Sequence, residues 1–478
     1  MKERSKILNW NNIRRTVSYI RKNGAADGFY AALERIGEKR RDSYAYKPLS
    51  KEEAKQQKEE AEGLGKAVCF SILVPAFETK ELYMRQLIES VLAQTWENWE
   101  LVIADASASD RVEKTVREYQ DVRIRYVRLS KNRGISGNSN EALKAVTGSY
   151  TGLLDHDDLL TQDALFEMAR ALFQERQAGR EPVFLYSDED KTDPEGRRFY
   201  EPHFKTDFNP DLLLSNNYIC HFLVARTGLL KETGFRALYD GAQDYDLILR
   251  LLKGAEPSAV VHLPKVLYHW RCHEQSTAEN PASKQYAYEA GRRAVSDYCE
   301  GRGWDVEIRH EKHLGFYRVE YRGELFRVRE DIGAVGGRLL RRGKVAGGAY
   351  RADGTLLYGG LCRRFSGYMH RAVLMQDVAA LDIRFCRIRR EAAELLQEAF
   401  LRETGKQLSR EPLAFLQTDF YADPRSSLAV RQQKEFIRQL AAEGFTEEML
   451  CRVSLRFGEA LRERGYQLLY DPGREWKL

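Results

Sequence analysis

The chain has 478 residues, about three times the ~150 of a typical domain, so two or three domains are expected. It is 43% hydrophobic and 31% charged, which excludes a disordered chain. Its 76 Lys and Arg against 71 Asp and Glu leave a net charge of +5, too even for a general nucleic-acid binder. Seven cysteines without a CxxC argue against a disulfide framework or zinc ribbon and for a reducing cytoplasm. No run reaches the ~18 apolar residues that span a bilayer. MKERSKILNW has no apolar signal-peptide region.

Residues 1–65 read as a basic helical extension and linker. Eleven Lys and Arg stand against five acids between Met1 and Asp42, a net of +6. Ile7, Trp10, Ile13, Val17 and Ile20 recur at three- and four-residue steps, as on one helix face. Such a face either rests on the anionic inner surface of the plasma membrane or packs on the protein. KEEAKQQKEEAE (51–62) reads as a charged helical linker.

From Val68 strands and helices alternate at α/β spacing. VCFSILVP is an apolar strand ended by Pro75. A helix follows with Leu82, Leu87, Val91 and Leu92 on one face, then the strand WELVIAD ending in Asp105, and the strand VRIRYVRL. SYTGLLDHDD is a strand running into Asp155, Asp157 and Asp158. Open parallel sheets bind ligands at the carboxyl ends of their strands, which places Pro75, Asp105 and Asp155 on one rim. Three carboxylates within four residues repel one another unless a cation neutralises them. Hard oxygen ligands suit Mg²⁺ or Mn²⁺ bridging to a substrate's phosphates. The alternative is an acidic turn in which Asp158 caps the next helix, LLTQDALFEMARAL.

After the strand VFLYS, Ser187–Lys191 either lines an acceptor pocket, with Asp188 facing it, or forms a polar turn before DPEG. Gln243-Asp244-Tyr245-Asp246 opens the amphipathic stretch LILRLLK. Asp244 and Asp246 cannot share a helix face. One caps the helix while the other serves as a general base, or both stabilise the helix start. VVHLPKVLYHW carries His269 and leads to Arg271, with Ser276 just downstream; an arginine there would neutralise a leaving diphosphate.

Residues 332–478 hold either a faint internal echo or a chance repeat of spacing. Gly234-Phe235 precedes Asp244 by ten residues, and Gly444-Phe445 precedes Ser454 by ten; GYQLLYDPGREW parallels VVHLPKVLYHW. In that register Asp244 and Asp246 become Ser454 and Arg456, and the nearest acid is Glu459. A second unit would thus be truncated and degenerate, serving packing, acceptor binding or a partner. No GxxxxGK[ST] is present, which excludes a P-loop kinase.

SILVPAFET, the Asp105 strand, NRGISGNSNEAL, SYTGLLDHDD and GAQDYDLILR, in this order, resemble the glycosyltransferases of family 2, which have the GT-A fold. The resemblance covers about Phe70 to Ile308. SDEDK, FNPDLLLSNNYI and LYHWRCHEQSTA look closest to bacterial members that build rhamnose-containing or other surface polysaccharides. It implies an α/β GT-A domain over 66–310 with a mostly parallel sheet, followed by a degenerate GT-A-like domain over 311–478. It implies a UDP- or dTDP-linked hexosyl or deoxyhexosyl donor, a glycan or lipid-linked acceptor, a divalent Mn or Mg ion, and inversion at the anomeric carbon. Position by position, Pro75, Ala76 and Glu78 would hold the base and ribose, and Asp105 the base or ribose. Asp155 would lie near the ribose and diphosphate, Asp157 on the metal, and His269 on the metal or diphosphate. Asp244 would be the base, with Asp188 and Asp246 on the acceptor side. Two places depart from the family: Ala104-Asp105 replaces a pair of acids, and Gln243-Asp244 replaces Glu-Asp. A nucleotidyltransferase would need a Gly-rich, basic loop where PAFETKEL stands. A nucleotide-binding scaffold of a polysaccharide assembly complex is the non-enzymatic alternative.

Overall fold

The computed structural model describes residues 20, 24–41, 43–64, 68–273, 285–421 and 427–478. Ile7, Trp10, Ile13, Val17 and Ser276 lie outside the described residues. The chain divides into two compact units, one of 43–209 with 216–301, the other of 1–42 with 210–215 and 302–478. The division expected at 310/311 falls at 301/302, because that point lies inside a hairpin of β10 (Val306–His310) and β11 (Tyr317–Tyr321). The helix Lys51–Leu64 belongs to the first unit and is no free linker. Ala61 and Leu64 pack on its core, and Gln57 accepts a hydrogen bond from the Thr95 hydroxyl at 2.8 Å.

The first unit is built on β1 (Phe70–Ala76), β2 (Trp99–Asp105), β3 (Ile124–Arg128), β4 (Tyr150–Leu153), β5 (Leu159–Leu160), β6 (Phe184–Thr192), β7 (Phe199–His203), β8 (Leu223–Arg226) and β9 (Val260–Arg271). Their order is β3-β2-β1-β4-β8-β6-β9-β5, with β7 on β6. The fold is α/β as expected. The β3-β2-β1-β4 half is parallel. The other half is mixed, since β8 runs antiparallel to both β4 and β6 while β9 is parallel to β6.

Every residue of β1 and β2 is buried, as apolar runs covered on both faces should be. β1 passes through Pro75 to Ala76. Its pairing with β4 stops at Leu73, so the missing N–H of Pro75 lies beyond that ladder. The helix Glu81–Leu92 buries Met84, Leu87, Ile88 and Val91 against this core, at helical spacing. Leu82, expected on that face, is off the stripe and half exposed. β9 contains Pro264, and the pairing register with β6 jumps from Ser187↔Leu263 to Asp188↔Val266, so a bulge absorbs the proline. Ser187–Lys191 lies within β6 and forms no turn.

The second unit has β12 (Ile332–Arg341), β13 (Lys344–Gly347), β14 (Ala349–Tyr350), β15 (Gln376–Asp377), β16 (Ala380–Leu381), β17 (Cys386–Ile388) and β18 (Gln467–Lys477). Its main sheet has the order β13-β12-β18-β15, with β17 on β12. β12 has the same kinds of neighbour as β6: a hairpin partner, an antiparallel strand and a later parallel strand reached through a helix. The expected echo is therefore present as topology. It fails at the residues: Asp244 lies in the first turn of its helix, whereas Ser454 is buried in the middle of the helix Glu447–Glu463 and hydrogen-bonds the Leu450 carbonyl. Glu459 is exposed on that same helix.

The helix Glu447–Glu463 sits close to β16 at Gly458, where an added Cβ would stand 2.3 Å from the Ala379 carbonyl oxygen. Gly458→Val is predicted to cost about 2 kcal/mol or more by overpacking. Thermal denaturation checks this, and an unchanged midpoint would mean the helix does not pack this closely.

Candidate active site

Because β1, β2 and β4 are parallel, their carboxyl ends open on one rim. Asp105, the last residue of β2, is fully buried. Its carboxylate accepts hydrogen bonds from the Ser107 amide (2.9 Å), the Ser107 hydroxyl, the Tyr126 hydroxyl (2.8 Å) and Arg128 Nη1 (3.1 Å). Pro75 and Ala76 are strand residues, and the Ala76 carbonyl accepts from the Ala106 amide. Glu78 follows at φ 48°, in the left-handed region. Its carboxylate accepts from the Ala108 amide (2.8 Å), the Ser109 amide (3.2 Å) and the Ser109 hydroxyl (2.8 Å). These bonds, the Ser109 hydroxyl first, hold its carboxyl below the usual range. Glu78 and Asp105 thus brace the loop 107–109 where β1 and β2 end.

β4 leads into Asp155-His156-Asp157-Asp158. His156 Nδ1 lies 3.0 Å from the Thr79 hydroxyl. Asp157 Oδ2 lies 2.7 Å from His273 Nε2, and its carbonyl accepts from Arg271 Nε. Burial pushes the Asp157 carboxyl up, but the His273 hydrogen bond and the charges of His156 and His273 hold it below its ordinary value. Asp158 caps no helix: the chain forms β5 first, and the next helix starts at Ala164 behind Asp163. Instead Asp158 is buried beside β9, accepting from the Tyr268 hydroxyl and the Arg271 amide (2.7 Å). Burial, then the neighbouring Asp157 and Asp155, push its carboxyl well above the usual range.

A second group of residues closes on these acids. Glu189 of β6 is buried and meets His221 Nδ1 (3.1 Å), His203 Nδ1 (3.3 Å) and Lys205 Nζ (3.5 Å). Burial opposes its charge, yet Lys205 and the two histidines bring it well below the ordinary value. Lys205 also donates to the carbonyls of Ile219 and His221, fixing that loop. His221 Nε2 lies 3.7 Å from Asp155 Oδ2, and its ring stacks on Tyr268 at 4.5 Å. Burial disfavours the imidazolium, but Cys220, Asp155 and Glu189 outweigh it and raise the pKa well above the ordinary value. Burial pushes the Cys220 thiol up to about 12. Asp244 Oδ2 accepts from Asn217 Nδ2 (2.9 Å) and Cys220 Sγ (3.2 Å). A continuous path of contacts thus runs from Asp155 through His221 and Cys220 to Asp244.

Ligand atoms of Asp155, Asp158 and His221 all lie within 4.8 Å of one another, the one such group among the described residues. Two carboxylate oxygens and an imidazole nitrogen suit Mn²⁺ or a similar divalent ion. The half-exposed Asp155 side chain leaves one side of the group open to water or phosphate. The donor set therefore fits a divalent cation.

The expected partner of Asp157, His269, is placed elsewhere. Tyr268 faces the acid cluster, so strand alternation turns His269 to the opposite face. There its Nδ1 lies 2.5 Å from Asp190 Oδ1, between the rings of Tyr46 and Phe199, at a cavity of about 540 Å³. His273, just beyond the strand, takes the position beside Asp157. Asp188 is buried and bound to the Lys205 amide (2.7 Å) and His262 Nε2 (3.0 Å), away from the cluster. Asp246 is buried and clamped by Arg236 and Arg250. These bonds anchor its helix. Arg271 is buried with its guanidinium over the Tyr83 ring at 4.6 Å. Its Nη1 donates to the Pro194 carbonyl at 2.8 Å, and its Nη2 has no hydrogen-bond partner among the described residues. Burial lowers its pKa.

Sequence reasoning gave no role to Lys205, Cys220 and His221, and held Glu189, Asn217 and His273 only inside SDEDK, FNPDLLLSNNYI and LYHWRCHEQSTA, with no individual assignment. Reading SDEDK as a continued strand would have put Glu189 on the face opposite Asp188 and Asp190. His273 lies two residues past Arg271, within the quoted LYHWRCHEQSTA. Asn217 stands within FNPDLLLSNNYI, while Cys220 and His221, between that segment and β8, have no local pattern to mark them.

Comparison with known proteins identifies the family of this domain. The glycosyl transferase family 2 model matches residues 71–234. An uncharacterized protein y4gI of Sinorhizobium fredii is 40% identical over 232 residues, covering 48% of this chain and 25% of that protein. The O-antigen biosynthesis protein RfbC of Myxococcus xanthus is 34% identical over 262 residues, 54% of this chain and 20% of that protein. The Escherichia coli UDP-Glc:alpha-D-GlcNAc-diphosphoundecaprenol beta-1,3-glucosyltransferase WfgD is 30% identical over 193 residues, 40% of this chain and 72% of that protein. The chain belongs to glycosyl transferase family 2. It spans only a fifth to a quarter of y4gI and RfbC.

The two acids of the helix Gln243–Leu251 should separate in a stability measurement. Asp246→Asn removes the partner of two arginines and is predicted to cost about 2 kcal/mol. Asp244→Asn keeps a side chain able to pair with Asn217 and should shift the denaturation midpoint much less. Equal shifts would contradict the division of roles.

Proposed function

We propose that the chain transfers a sugar from a UDP- or dTDP-linked donor to a hydroxyl of a glycan or lipid-linked acceptor, with inversion, in bacterial cell-surface polysaccharide synthesis. The observation that supports this most is the meeting of Asp155, Asp158 and His221 with Asp244 at one rim. Family membership and the names of RfbC and WfgD point the same way. A hexosyl or deoxyhexosyl group is the expected cargo, and a lipid-linked acceptor would bring the protein to the inner membrane face.

Asp155, Asp158 and His221 would hold a Mn²⁺ or Mg²⁺ ion, which supplies charge neutralisation for the departing diphosphate. Asp155 is the exposed member and would meet the diphosphate side of the donor. Arg271, whose Nη2 has no hydrogen-bond partner among the described residues, would add positive charge near Asp157, and His273 would add a hydrogen-bonding ring nitrogen there. The rim at Pro75, Ala76, Glu78 and Asp105 would take the base and ribose. Asp244 is held by Asn217 and Cys220 so that one oxygen is engaged. Its other oxygen would accept the proton of the acceptor hydroxyl as that oxygen attacks the anomeric carbon from the face opposite the leaving group. In the second unit Ser454 and Arg456 replace the acids, and that unit would serve packing or acceptor binding.

The test is donor turnover with UDP- and dTDP-sugars in the presence of Mn²⁺ or Mg²⁺, with water or a supplied glycan as acceptor. Asp155→Ala and Asp244→Ala are each predicted to lower turnover by about 100-fold or more. NMR of the first-formed product should show the anomer opposite to the donor's. Near wild-type turnover in Asp244→Ala would remove it as the base, and retention of configuration would contradict the mechanism.

A further inference from the structure

The helix Ala25–Arg41 is amphipathic in an inverted sense. Its polar edge faces the protein. Asp27 pairs with Lys312 at 2.7 Å and Arg364 at 3.6 Å. The Glu34 carboxylate accepts from the Ser366 amide and hydroxyl, both at 3.0 Å, and the Gly367 amide at 2.6 Å. Tyr30, between them, packs edge-on to Phe365 and under Arg364. These residues recur at three- and four-residue steps, so one stripe of the helix is committed to this contact.

The opposite stripe is apolar and open. Phe29, Leu33 and Ile36 are 60%, 42% and 47% exposed, and Ala25, Ala26 and Ala32 beside them are exposed as well. A helix that only packed on its own domain would turn Phe29, Leu33 and Ile36 inward and Asp27 and Glu34 outward. Three large apolar side chains in register on one face mark a surface made for an apolar partner.

The charge around that face selects the partner. The helix sequence ends in a basic run: Arg35, Lys39, Arg40 and Arg41 stand against one acid, Glu38. The helix's other two acids, Asp27 and Glu34, are already spent on the protein side. Arg35, within the stripe's length, is exposed. An apolar stripe on a helix that ends in a basic run complements a surface with anionic headgroups over hydrocarbon. We propose that the Phe29–Leu33–Ile36 face of this helix docks on an anionic lipid surface, the helix lying in the interface while Asp27, Tyr30 and Glu34 hold it to the protein. This deepens the reading of a transferase working at the inner membrane face, and names the side chains that make the contact.

The test is co-sedimentation of the full chain with vesicles of phosphatidylglycerol and phosphatidylethanolamine, against vesicles of phosphatidylcholine alone. No sugar donor is needed, so failure here leaves the transferase reading standing, and failed transfer leaves this one standing. The wild type should partition onto the anionic vesicles and release as salt is raised. The triple variant Phe29→Gln, Leu33→Gln, Ile36→Gln alters exposed positions only, and should lose at least about tenfold in partitioning with an unchanged denaturation midpoint. Arg35→Glu should weaken binding to anionic vesicles and leave binding to phosphatidylcholine unaltered. No binding by the wild type, or equal binding by the triple variant, would overturn the proposal. So would light scattering showing a wild-type dimer that the triple variant converts to a monomer, which would assign the face to a second copy of the chain.

Discussion

The carboxyl-terminal rim of the first unit gathers Asp155, Asp157, Asp158, Glu189 and Asp244 within one polar core, and each of these charges must be compensated where it stands. A carboxylate taken out of water is expensive unless it is paired or protonated. The compensation differs at each position. Glu189 is paired with Lys205 and two histidines, and Asp157 with His273. Asp158 is pushed toward its neutral form. Asp155 is left partly in solvent, with His221 as its nearest counter-charge. The loop 217–221, the start of β8 and the end of β9 are placed by these contacts. A divalent cation between Asp155 and Asp158 would complete the same compensation, which is why the site reads as prepared for one.

Much of this was legible before any coordinates. Buried parallel strands announce themselves as apolar runs, and an acid at the end of such a run falls on the ligand rim. That logic expected Asp105 at the end of a strand and the Asp155–Asp158 turn just past another, where the structure has them after β2 and β4, and the amphipathic LILRLLK located the helix that carries Asp244. It did less well where polar residues continue a strand. β6 runs on through Ser187–Lys191, all but Lys191 buried, and a polar pentapeptide gives no apolar signal that the strand persists. Once it is a strand, parity alone separates Glu189 from Asp188 and Asp190, and a sequence cannot say which parity faces the site.

The same parity decided the histidines of β9. His269 and Tyr268 are adjacent in sequence and opposite in direction, so the residue next to the expected one carries the contact with the acids. His221 was hidden for a different reason: it acts through a loop fixed by Lys205 from elsewhere in the chain, and such tertiary placement leaves no local trace. The Gly-Phe echo shows the converse. The two units share a local strand topology, while equal spacing along the chain did not bring equivalent residues to equivalent positions.

The account stands on the position of the metal. Crystals of the full chain grown with MnCl₂ and UDP, measured at the manganese absorption edge, locate it directly by anomalous scattering. The predicted peak lies about 2.2 Å from a carboxylate oxygen of Asp155 and from a ring nitrogen of His221, with the diphosphate on its open side. A peak held by Asp157 and His273 without Asp155, or one beside His269, would contradict it.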